Sequence, residues 1–386
     1  MEFKLNEMQE MIRDLARDFA KSALHDRIDE IEAEENVGHF PPDLYQQMCD
    51  SGFLGIAFPE AYGGNGMGHD CMTLCLEELA KISPSAATAL NITLTPLEAV
   101  MMYGTEAQKA AIIPPALTGE TNPAMAFTEA GTGSDPKQLK TVARLEGDTW
   151  VINGVKRFIS NAQYPGELLL YALEADTGAV TAFIVDKFCE GYTISTPWDK
   201  VGLKGSAVYD VFLDDVKVPN DAAHILGKRG DGFGVLKGVT GYGKLGFSSI
   251  FLGTLGGALD RARDYITTKT HREGVITKFQ AVQIKFAQLL AVYESCRFMV
   301  YKAAELGGDP FDPNFVPYSA LVKAHVGDAA LQGCILAMNL MGSYGVMAEY
   351  RVENFLRDAL IGPHVEGQTD VQRVIAAGYF ATHDLC

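Results

Sequence analysis

The chain has 386 residues, a length that predicts two or three domains at about 150 residues per domain and excludes a small disulfide-stabilised protein. Because 47% of the residues are hydrophobic and 21% are charged, the composition is typical of a globular protein and not of a disordered one. The 32 Lys and Arg residues are outnumbered by 49 Asp and Glu residues, and the net charge of −17 repels a phosphate backbone, which excludes nucleic acid as a partner.

The cysteines, histidines and apolar runs exclude further classes of protein. The cysteines include no C-x-x-C pair and are interpreted as reduced, mostly buried thiols, which indicates the cytoplasm. They are Cys49, Cys71, Cys75, Cys189, Cys296, Cys334 and Cys386. No HExxH motif is present, and no metal site is predicted. No run approaches the roughly 20 apolar residues of a membrane span, and the charged N-terminal segment is expected to be neither a signal peptide nor a transit peptide.

Residues 5–119 show a helical pattern, in which apolar residues recur every three or four positions. One helix is predicted to begin near Asp43, directly after Pro41 and Pro42. Two breaks are predicted, in the glycine-rich stretch at 58–68 and at Pro96, because glycine and proline set turns. The first third of the chain is therefore predicted to be mostly helical.

From about Thr121, short β-branched runs alternate with turn residues. Asn153-Gly154 is typical of a tight hairpin, because both turn positions need a positive φ. A second turn is predicted at 176–178. Residues 122–230 are therefore predicted to form an antiparallel sheet, folded as a small barrel or sandwich.

Beyond Gly234 a helical pattern returns. Apolar residues from Val282 to Val300 keep one face over about five turns, and a second helix is predicted from Ser319 to about Met341. The order predicts an α+β fold with a helical domain at 1–121, a β-barrel or sandwich domain at 122–234 and a second helical domain at 235–386. Clefts between such domains are common places for cofactors.

Three motifs could carry chemistry. Gly241, Gly243 and Gly246 match G-x-G-x-x-G, but this motif is predicted to open a helix without the preceding strand that a dinucleotide fingerprint requires. The loop TEAGTGSD at 128–135 suits a phosphate or a polar heterocycle, or is a plain interdomain turn.

The third motif is the stretch around Glu366. A carboxylate between Val365 and Gly367 would be partly desolvated, which raises its pKa towards that of a general base, although a turn residue is the alternative. His364 is either structural or a proton shuttle.

Several ordered stretches together resemble the acyl-CoA dehydrogenase family over essentially the whole chain. They are GFLGIAFPEAYGG at 52–64, YGTEAQKAAIIPPALTGE at 103–120, TEAGTGSD at 128–135, INGVKRFISN at 152–161, VGLKGS at 201–206, VFLDDVKVP at 211–219 and FLRDALIGPHVEGQTDVQR at 355–373. The resemblance implies a helical N-terminal domain, a β-barrel middle domain and a C-terminal four-helix bundle. It also implies a homotetramer (or a homodimer) that binds FAD and dehydrogenates an acyl thioester between its α and β carbons. It also implies reoxidation by an electron-transferring flavoprotein.

The resemblance assigns the base to Glu366, whose position matches the glutamate of the family's Tyr-Glu-Gly-Thr motif. Some members carry the base on an earlier helix, but that position is Gly243 here. The enolate oxygen would accept hydrogen bonds from the Glu366 backbone N–H and from a flavin ribityl hydroxyl. Phe158 and Ser160 stand where the family has Trp and Thr against the flavin.

The other implied contacts follow by position, with several departures from the family pattern. The predicted cofactor contacts are Phe127, Thr128, Gly133, Ser134, Phe158, Ser160, Lys269, Arg272, Asn339, Gly342, Gln368 and Asp370. The predicted substrate contacts are Ser134, Lys244, Val365 and Gly367. Lys269 replaces an Arg that reaches the FAD pyrophosphate of a neighbouring subunit, while Lys244 and Val365 replace Arg and Tyr beside the substrate.

These departures leave other functions open. The same fold could act on a thioester of an acyl-carrier protein, or run in reverse as an enoyl-thioester reductase. An oxidase is disfavoured because long acyl-CoA oxidases carry a further domain. A non-catalytic relative without flavin is the alternative of a different class.

Overall fold

The computed structural model describes residues 4–33, 39–132, 135–272 and 274–384. A helical segment, a sheet and a second helical segment follow one another along the chain, so the α+β prediction is confirmed. The helices of both ends share one hydrophobic core, which includes Leu90 of the first segment and Leu255 of the second. The sheet encloses a separate core around Trp150 and Phe183.

The N-terminal segment contains six α-helices in the described part of the chain. They are α1 (Glu7–Phe19), α2 (Ile28–Ile31), α3 (Pro42–Asp50), α4 (His69–Ala80), α5 (Pro84–Tyr103) and α6 (Glu106–Leu117). Helix α3 begins at Pro42, as the proline pair predicts. Ser83 caps α5 by accepting a hydrogen bond from the backbone N–H of Ala86.

The predicted break at Pro96 is wrong, because α5 continues through this residue. Pro96 cannot donate a hydrogen bond to the carbonyl group of Ile92, which locally weakens the helix. In the same turn, the hydroxyl group of Thr95 donates a hydrogen bond to the carbonyl oxygen of Asn91 at 3.1 Å. Burial of nearly the whole helix outweighs the lost hydrogen bond, and this is a tertiary effect that local sequence does not show.

The middle segment forms a seven-stranded sheet with the order β1-β4-β2-β3-β7-β6, in which β5 pairs with β4. The strands are β1 (Ala124–Ala126), β2 (Val142–Glu146), β3 (Thr149–Ser160), β4 (Glu167–Glu174), β5 (Val180–Asp186), β6 (Tyr192–Ile194) and β7 (Val208–Pro219). The antiparallel prediction is only partly right, because β1 and β2 both pair with β4 in parallel. The sheet is therefore mixed.

The predicted hairpin at Asn153-Gly154 is also wrong. These residues lie inside β3, where the pairing with β7 shifts by one residue between Ile152 and Gly154. A Cβ atom at position 154 would lie 2.4 Å from Oγ1 of Thr141, so glycine is needed here for close packing. The β2–β3 turn lies at residues 147–148 instead, whereas the turn predicted at 176–178 does join β4 to β5.

The C-terminal segment is helical, as predicted. Its elements are α7 (Gly232–Thr268), β8 (Thr270–His271), β9 (Gly274–Val275), α8 (Gln280–Leu306), α9 (Phe315–Met341), α10 (Val352–Ala359) and α11 (Thr369–Phe380). Leu289, Cys296 and Val300 on the predicted apolar face of α8 are buried. The domain limits at 121/122 and 234/235 stay predictions, and the second falls inside the first turn of α7.

Two further findings concern the whole described chain. Five of its six cysteines are buried, and none of the six forms a disulfide bond, while Cys386 lies outside the described residues. Among the helices of the described ranges, none has both the length and the apolar character that a bilayer crossing requires.

Candidate active site

Glu366 lies in the short loop between α10 and α11, in a backbone conformation that non-glycine residues rarely adopt. Its φ is 51°, and that of the following Gly367 is 89°. The loop is held from two helices: Nζ of Lys323 on α9 donates to the carbonyl oxygen of Gly367 at 2.5 Å, and Nε2 of Gln372 on α11 donates to that of Glu366 at 3.1 Å. Such strain persists only where the surroundings fix it, which is common at functional sites.

The Glu366 carboxylate packs against the backbone of α7 at Gly243. A Cβ atom at position 243 would lie 2.6 Å from Oε2 of Glu366, so any larger residue would displace the carboxylate. Gly241 and Gly246 also allow close packing against α7. A Cβ atom at Gly241 would clash with the ring of Phe315, and one at Gly246 would clash with the side chain of Asn91. The G-x-G-x-x-G motif was predicted to open a helix, but it lies inside α7. Its glycines leave room for side chains of other elements to contact the helix backbone.

Two buried lysines face this carboxylate. Lys244 on α7 is 3% exposed and Lys323 on α9 is 1% exposed, and neither forms a close ion pair in the described part of the chain. Burial lowers the pKa of each lysine to about 8, against the opposing attraction of Glu366. Burial raises the pKa of Glu366, and the two lysines oppose that rise. The carboxylate accepts no hydrogen bond from a described residue, which leaves its oxygens available as a base.

A buried ion pair between Lys156 and Glu129 holds the loop that follows β1. Nζ of Lys156 lies 2.8 Å from Oε1 of Glu129 and also donates to the carbonyl oxygen of Phe127 at 3.2 Å. Glu129 accepts further hydrogen bonds from Thr141. The half-buried side chains of Phe127 and Thr128 are thereby held at one edge of the sheet. Gly133 and Ser134, predicted to contact cofactor and substrate, lie outside the described residues.

Phe158 lies at an irregularity in β3, where the register against β7 shifts between Lys156 and Ile159. Its φ of 59° turns the ring out of the sheet, and the residue is 52% exposed. The ring lies 5.5 Å from that of Trp198, between ring centroids, in an edge-to-face arrangement. Ser160 is half-buried at the end of the same strand.

Two predicted cofactor contacts near the α10–α11 loop, Gln368 and Asp370, interact with groups at the start of α11. Oε1 of Gln368 accepts hydrogen bonds from the N–H groups of Asp370 and Val371, and so caps α11. Asp370 is exposed and lies 2.7 Å from Arg373 in an ion pair. Val365 is half-buried, and His364 is exposed.

Lys269, Arg272, Asn339 and Gly342 do not join the Glu366 site. All are at the surface or in the turn after α7, and Lys269 lies over the ring of Tyr344 at 4.8 Å. Lys269 follows Lys244 by 25 residues, which corresponds to roughly 37 Å along the axis of α7. Within one chain these residues are therefore too far away to contact a group bound beside Glu366.

Sequence reasoning missed Lys323, Asn91 and the Lys156–Glu129 pair. The available signal for Lys323 was a single lysine in a predicted helix of small apolar residues, because such a charge is buried only with a partner or a function. No local signal marked Asn91, which lies in an apolar helix and faces α7 only in the folded chain.

Comparisons with known proteins identify the family of the chain. The chain matches the three profiles described as acyl-CoA dehydrogenase N-terminal, middle and C-terminal domains, over residues 6–120, 124–216 and 230–379. It is 33% identical over 380 residues to the CarC subunit of a caffeyl-CoA reductase–Etf complex from Acetobacterium woodii, covering 97% of this chain and 98% of that one. It is 32% identical over 384 residues to a short-chain specific acyl-CoA dehydrogenase of Clostridium acetobutylicum, covering 98% and 99%.

A solved structure of similar shape is butyryl-CoA dehydrogenase from Megasphaera elsdenii, with a TM-score of 0.92, 30% identity and coverage of 99% of this chain and 100% of that one. The helical, sheet and helical parts, matched in this order by the three profiles, define an oxidoreductase that acts on CH–CH bonds. The chain belongs to the acyl-CoA dehydrogenase family. Its cofactor is FAD, and its substrates are acyl thioesters.

The residues on the sheet side fit a flavin ring. Phe158 presents an exposed aromatic face beside Trp198, which is itself 42% exposed, and a planar heterocycle would cover such a surface. Two hydroxyl-bearing residues are close to Phe158 along the backbone: Thr128 accepts a hydrogen bond from the N–H of Arg157 at its carbonyl oxygen, at 2.8 Å, and Ser160 follows Phe158 in β3. The rings and hydroxyls in this position therefore have the chemistry that binding of an isoalloxazine needs.

Proposed function

We propose that Glu366 removes the α-proton of an acyl-CoA thioester while the hydrogen on the β-carbon leaves with its electron pair. The observation that carries the proposal is the Glu366 carboxylate itself, which is enclosed against Gly243, faces two buried lysines and accepts no hydrogen bond from the described residues. Removal of the proton and the hydride leaves a double bond between the two carbons. FAD, when bound, supplies the hydride acceptor.

The backbone of Glu366 provides the second element of the mechanism. Its N–H group donates to no acceptor in the part of the chain that the structure describes. The positive φ of Glu366 and the hydrogen bonds from Lys323 and Gln372 fix the direction of this group. We propose that it donates to the thioester oxygen, where negative charge develops as the α-proton leaves.

The lysines keep the base ionised. Burial disfavours the carboxylate form of Glu366, and the positive charges of Lys244 and Lys323 partly restore it. The balance leaves the pKa of Glu366 raised, and a base with a raised pKa is better matched to a weak carbon acid near neutral pH.

We propose that Lys269, Arg272, Asn339 and Gly342 contact the FAD of a second copy, with Gln368 and Asp370 completing the pocket nearer to Glu366. The distance along α7 and the exposure of Arg272, Asn339 and Gly342 support a shared site in a homotetramer, with a homodimer as the smaller assembly that would also supply it. The predicted contacts of Ser134, Val365 and Gly367 with the substrate remain part of this proposal.

We further propose an electron-transferring flavoprotein as the redox partner and the cytoplasm as the place of action. The relative from Acetobacterium woodii belongs to an Etf complex, which supports the partner. That relative is named as a reductase and the relative from Clostridium acetobutylicum as a dehydrogenase, so both directions of the reaction occur among similar proteins. Unpaired, mostly buried cysteines support a reducing compartment.

The test is anaerobic bleaching of the bound flavin by a panel of acyl-CoA esters. The wild-type holoenzyme is expected to bleach, whereas Glu366→Gln should retain flavin and bleach at least about 1,000-fold more slowly, because an amide cannot accept the proton. The exposed Glu349→Gln is the matched control and should behave as wild type. Equal bleaching rates in Glu366→Gln and wild type would refute the assignment.

The same assay separates the alternatives. Bleaching by carrier-bound esters but not by free CoA esters would replace CoA with an acyl-carrier protein. Reoxidation of reduced holoenzyme by enoyl-CoA, faster than reduction by acyl-CoA under matched conditions, would favour the reductase direction. Purified protein without a flavin spectrum after FAD addition would contradict the proposed function.

A further inference from the structure

A cavity of about 270 Å³ lies between the first helical segment and the sheet. Its lining comes from the start of α3, from α5, from the α6–β1 connection, from the β3–β4 loop and from the stretch before β7. The described neighbours of Glu366 lie on α7, α9 and α11 instead. None of the predicted cofactor and substrate contacts in the described ranges lines this cavity, so it is separate from the site around Glu366.

The cavity runs from the surface into the interior. Pro42 and Glu120 are exposed and mark its mouth. Asn161 is 4% exposed and Ser206 is 5% exposed, and these two residues contribute polar groups to its deep end. A small molecule can therefore enter from solvent and bind to groups that are themselves buried.

Asn161 fixes a hydrogen-bond acceptor at the deep end of the cavity. Its Nδ2 donates to Oγ1 of Thr93 at 3.0 Å and to the carbonyl oxygen of Pro123 at 3.2 Å, which uses both hydrogens and sets the orientation of the amide. Nζ of Lys187 donates to the backbone carbonyl oxygens of Asn161 and Asn122, at 2.8 Å and 2.6 Å. Oδ1 of Asn161 accepts no hydrogen bond from a described residue, so it is a positioned acceptor without a donor.

Ser206 adds a hydroxyl group on a fixed backbone. Its N–H group donates to the carbonyl oxygen of Leu203 at 3.0 Å, and its own carbonyl oxygen accepts a hydrogen bond from Nζ of Lys200. In the described part of the chain its hydroxyl group has no hydrogen-bond partner. The deep end of the cavity thus offers one acceptor and one hydroxyl group that a ligand could use.

The walls of the cavity are aromatic and aliphatic. Phe40, Tyr45 and Tyr164 contribute rings, and Ala89 and Ile92 of α5 contribute aliphatic side chains. Benzene fills an apolar protein cavity of about 150 Å³, so a cavity of about 270 Å³ has room for two fused rings. Walls of this kind favour a flat aromatic molecule.

The charges around the cavity favour a neutral ligand. Among the described lining residues only Glu120 is charged, and it repels an anion at the mouth. Nζ of Lys187 lies behind the deep end, at the carbonyl oxygen of Asn161, and opposes a cation there. Burial lowers the pKa of Lys187 to about 7, against the attraction of Glu167 and Asp186.

We propose that this cavity is a second ligand site, which binds a neutral aromatic molecule of one or two rings whose N–H or O–H group donates to Oδ1 of Asn161. Asn161 follows Ser160 directly along the chain, so the ligand would bind next to the proposed flavin face without occupying it. The inference goes beyond the proposed function, because it needs neither Glu366 nor a thioester.

The test uses indole and indene, two neutral bicyclic molecules of similar shape that differ in one N–H group. Calorimetric titration of wild-type holoenzyme should give a dissociation constant for indole at or below about 1 mM. Indole should bind at least about fivefold more tightly than indene, because indene covers the Asn161 acceptor without a donor. An absence of saturable indole binding, or equal affinity for both molecules, would overturn the inference.

Asn161→Gly tests the acceptor. Asn161 has a φ of 58°, which glycine adopts freely, so the substitution causes no backbone strain. The variant should bind indole and indene with equal affinity. A preference for indole that survives in Asn161→Gly would overturn the assignment of the acceptor.

Ala89→Leu tests the cavity without removing a polar group. Ala89 is 5% exposed and lines the cavity, so a leucine side chain would occupy part of the volume. Indole should bind at least about tenfold more weakly, and the variant should melt at the wild-type temperature or higher. Ala111→Leu on the exposed side of α6 is the matched control and should bind indole as wild type does. Unchanged indole affinity in Ala89→Leu would place the bound molecule elsewhere and overturn the inference.

Competition separates this site from the one around Glu366. In Glu366→Gln holoenzyme, saturating butanoyl-CoA should leave the affinity for indole unchanged. Loss of indole binding in its presence would assign indole to the substrate site and overturn the inference. A wild-type flavin that no acyl-CoA bleaches would contradict the proposed function alone, because the preference for indole over indene does not depend on it.

Discussion

At the scale of single residues, the proposed chemistry depends on one carboxylate in a strained position. Glu366 adopts a φ of 51°. Lys323 donates a hydrogen bond to the carbonyl oxygen of Gly367, and Gln372 donates one to the carbonyl oxygen of Glu366. The side chain then reaches the bare surface of α7 at Gly243. Residues that bind the loop therefore set both the position and the ionisation of the proposed base.

The pH dependence of flavin reduction should report the influence of Lys244 on Glu366. The proposed base acts only when ionised, so the rate rises as pH rises through the raised pKa of Glu366. Lys244 lowers that pKa by attraction. Lys244→Met should therefore move the midpoint of the profile to higher pH, and each full unit of movement makes reduction about tenfold slower on the acid side.

The profile is measured by stopped-flow bleaching at saturating acyl-CoA between pH 5 and pH 9. Lys237→Met is the control, because Lys237 is exposed on the same helix. Superimposable profiles for Lys244→Met and wild type would show that Lys244 does not act on the base.

At the scale of elements, α7 combines two opposing requirements. Glycines inside a helix cost roughly 1 kcal/mol each relative to alanine, and α7 contains nine, including those at 241, 243 and 246. Each of these glycines admits a side chain from another element: Phe315, Glu366 and Asn91 respectively. The helix gives up intrinsic stability so that functional groups can approach its axis closely.

Gly243→Ala should separate these two effects. The added methyl group would displace the Glu366 carboxylate, so kcat/KM for flavin reduction should fall about 100-fold, as misplacement by about 1 Å produces. Gly378→Ala on α11 is the control, because a Cβ there meets no atom within 4 Å. That variant should keep its activity and gain up to about 1 kcal/mol in the free energy of unfolding. Full activity in Gly243→Ala would contradict the close seating of the base.

At the scale of the whole molecule, the proposed function assigns two separate surfaces to the chain. One contains Glu366 and its neighbours on α7 and α9, and the other contains Arg272 and Lys269, which lies roughly 37 Å from Lys244 along the axis of α7. Only association of chains can bring the second surface of one copy to the first surface of another. The oligomer is therefore predicted to be part of the FAD site.

Lys269→Ala/Arg272→Ala should weaken FAD retention without changing the fold. Loss of two positive charges near a pyrophosphate should raise the dissociation constant of FAD at least about tenfold. The measurement is FAD content per chain after gel filtration, together with the assembly mass from sedimentation equilibrium. Arg144→Ala/Lys217→Ala, two exposed charges of the sheet, is the control. An unchanged FAD content, or a monomer that retains FAD, would contradict the shared site.

Local patterns were sufficient for much of the fold. The three-residue and four-residue spacing predicted the helices at both ends, and β-branched runs predicted the sheet between them. The predicted break at Pro96 and the predicted hairpin at Asn153-Gly154 are wrong for the same reason. Each rests on a strong local signal that long-range packing overrides. Burial keeps α5 helical at Pro96, and close contact with Thr141 keeps Gly154 inside a strand.

The sequence by itself determined the order of helical and β segments, the family and the position of Glu366, because these are carried by residues that are near one another along the chain. Only the tertiary structure decided which groups surround the carboxylate. Lys323 and Gly243 come from two helices that are distant in sequence, and burial in the packed interior raises the pKa of the proposed base. Periodicity records which face of each helix is buried but not which residue lies opposite, and the chemistry depends on that pairing.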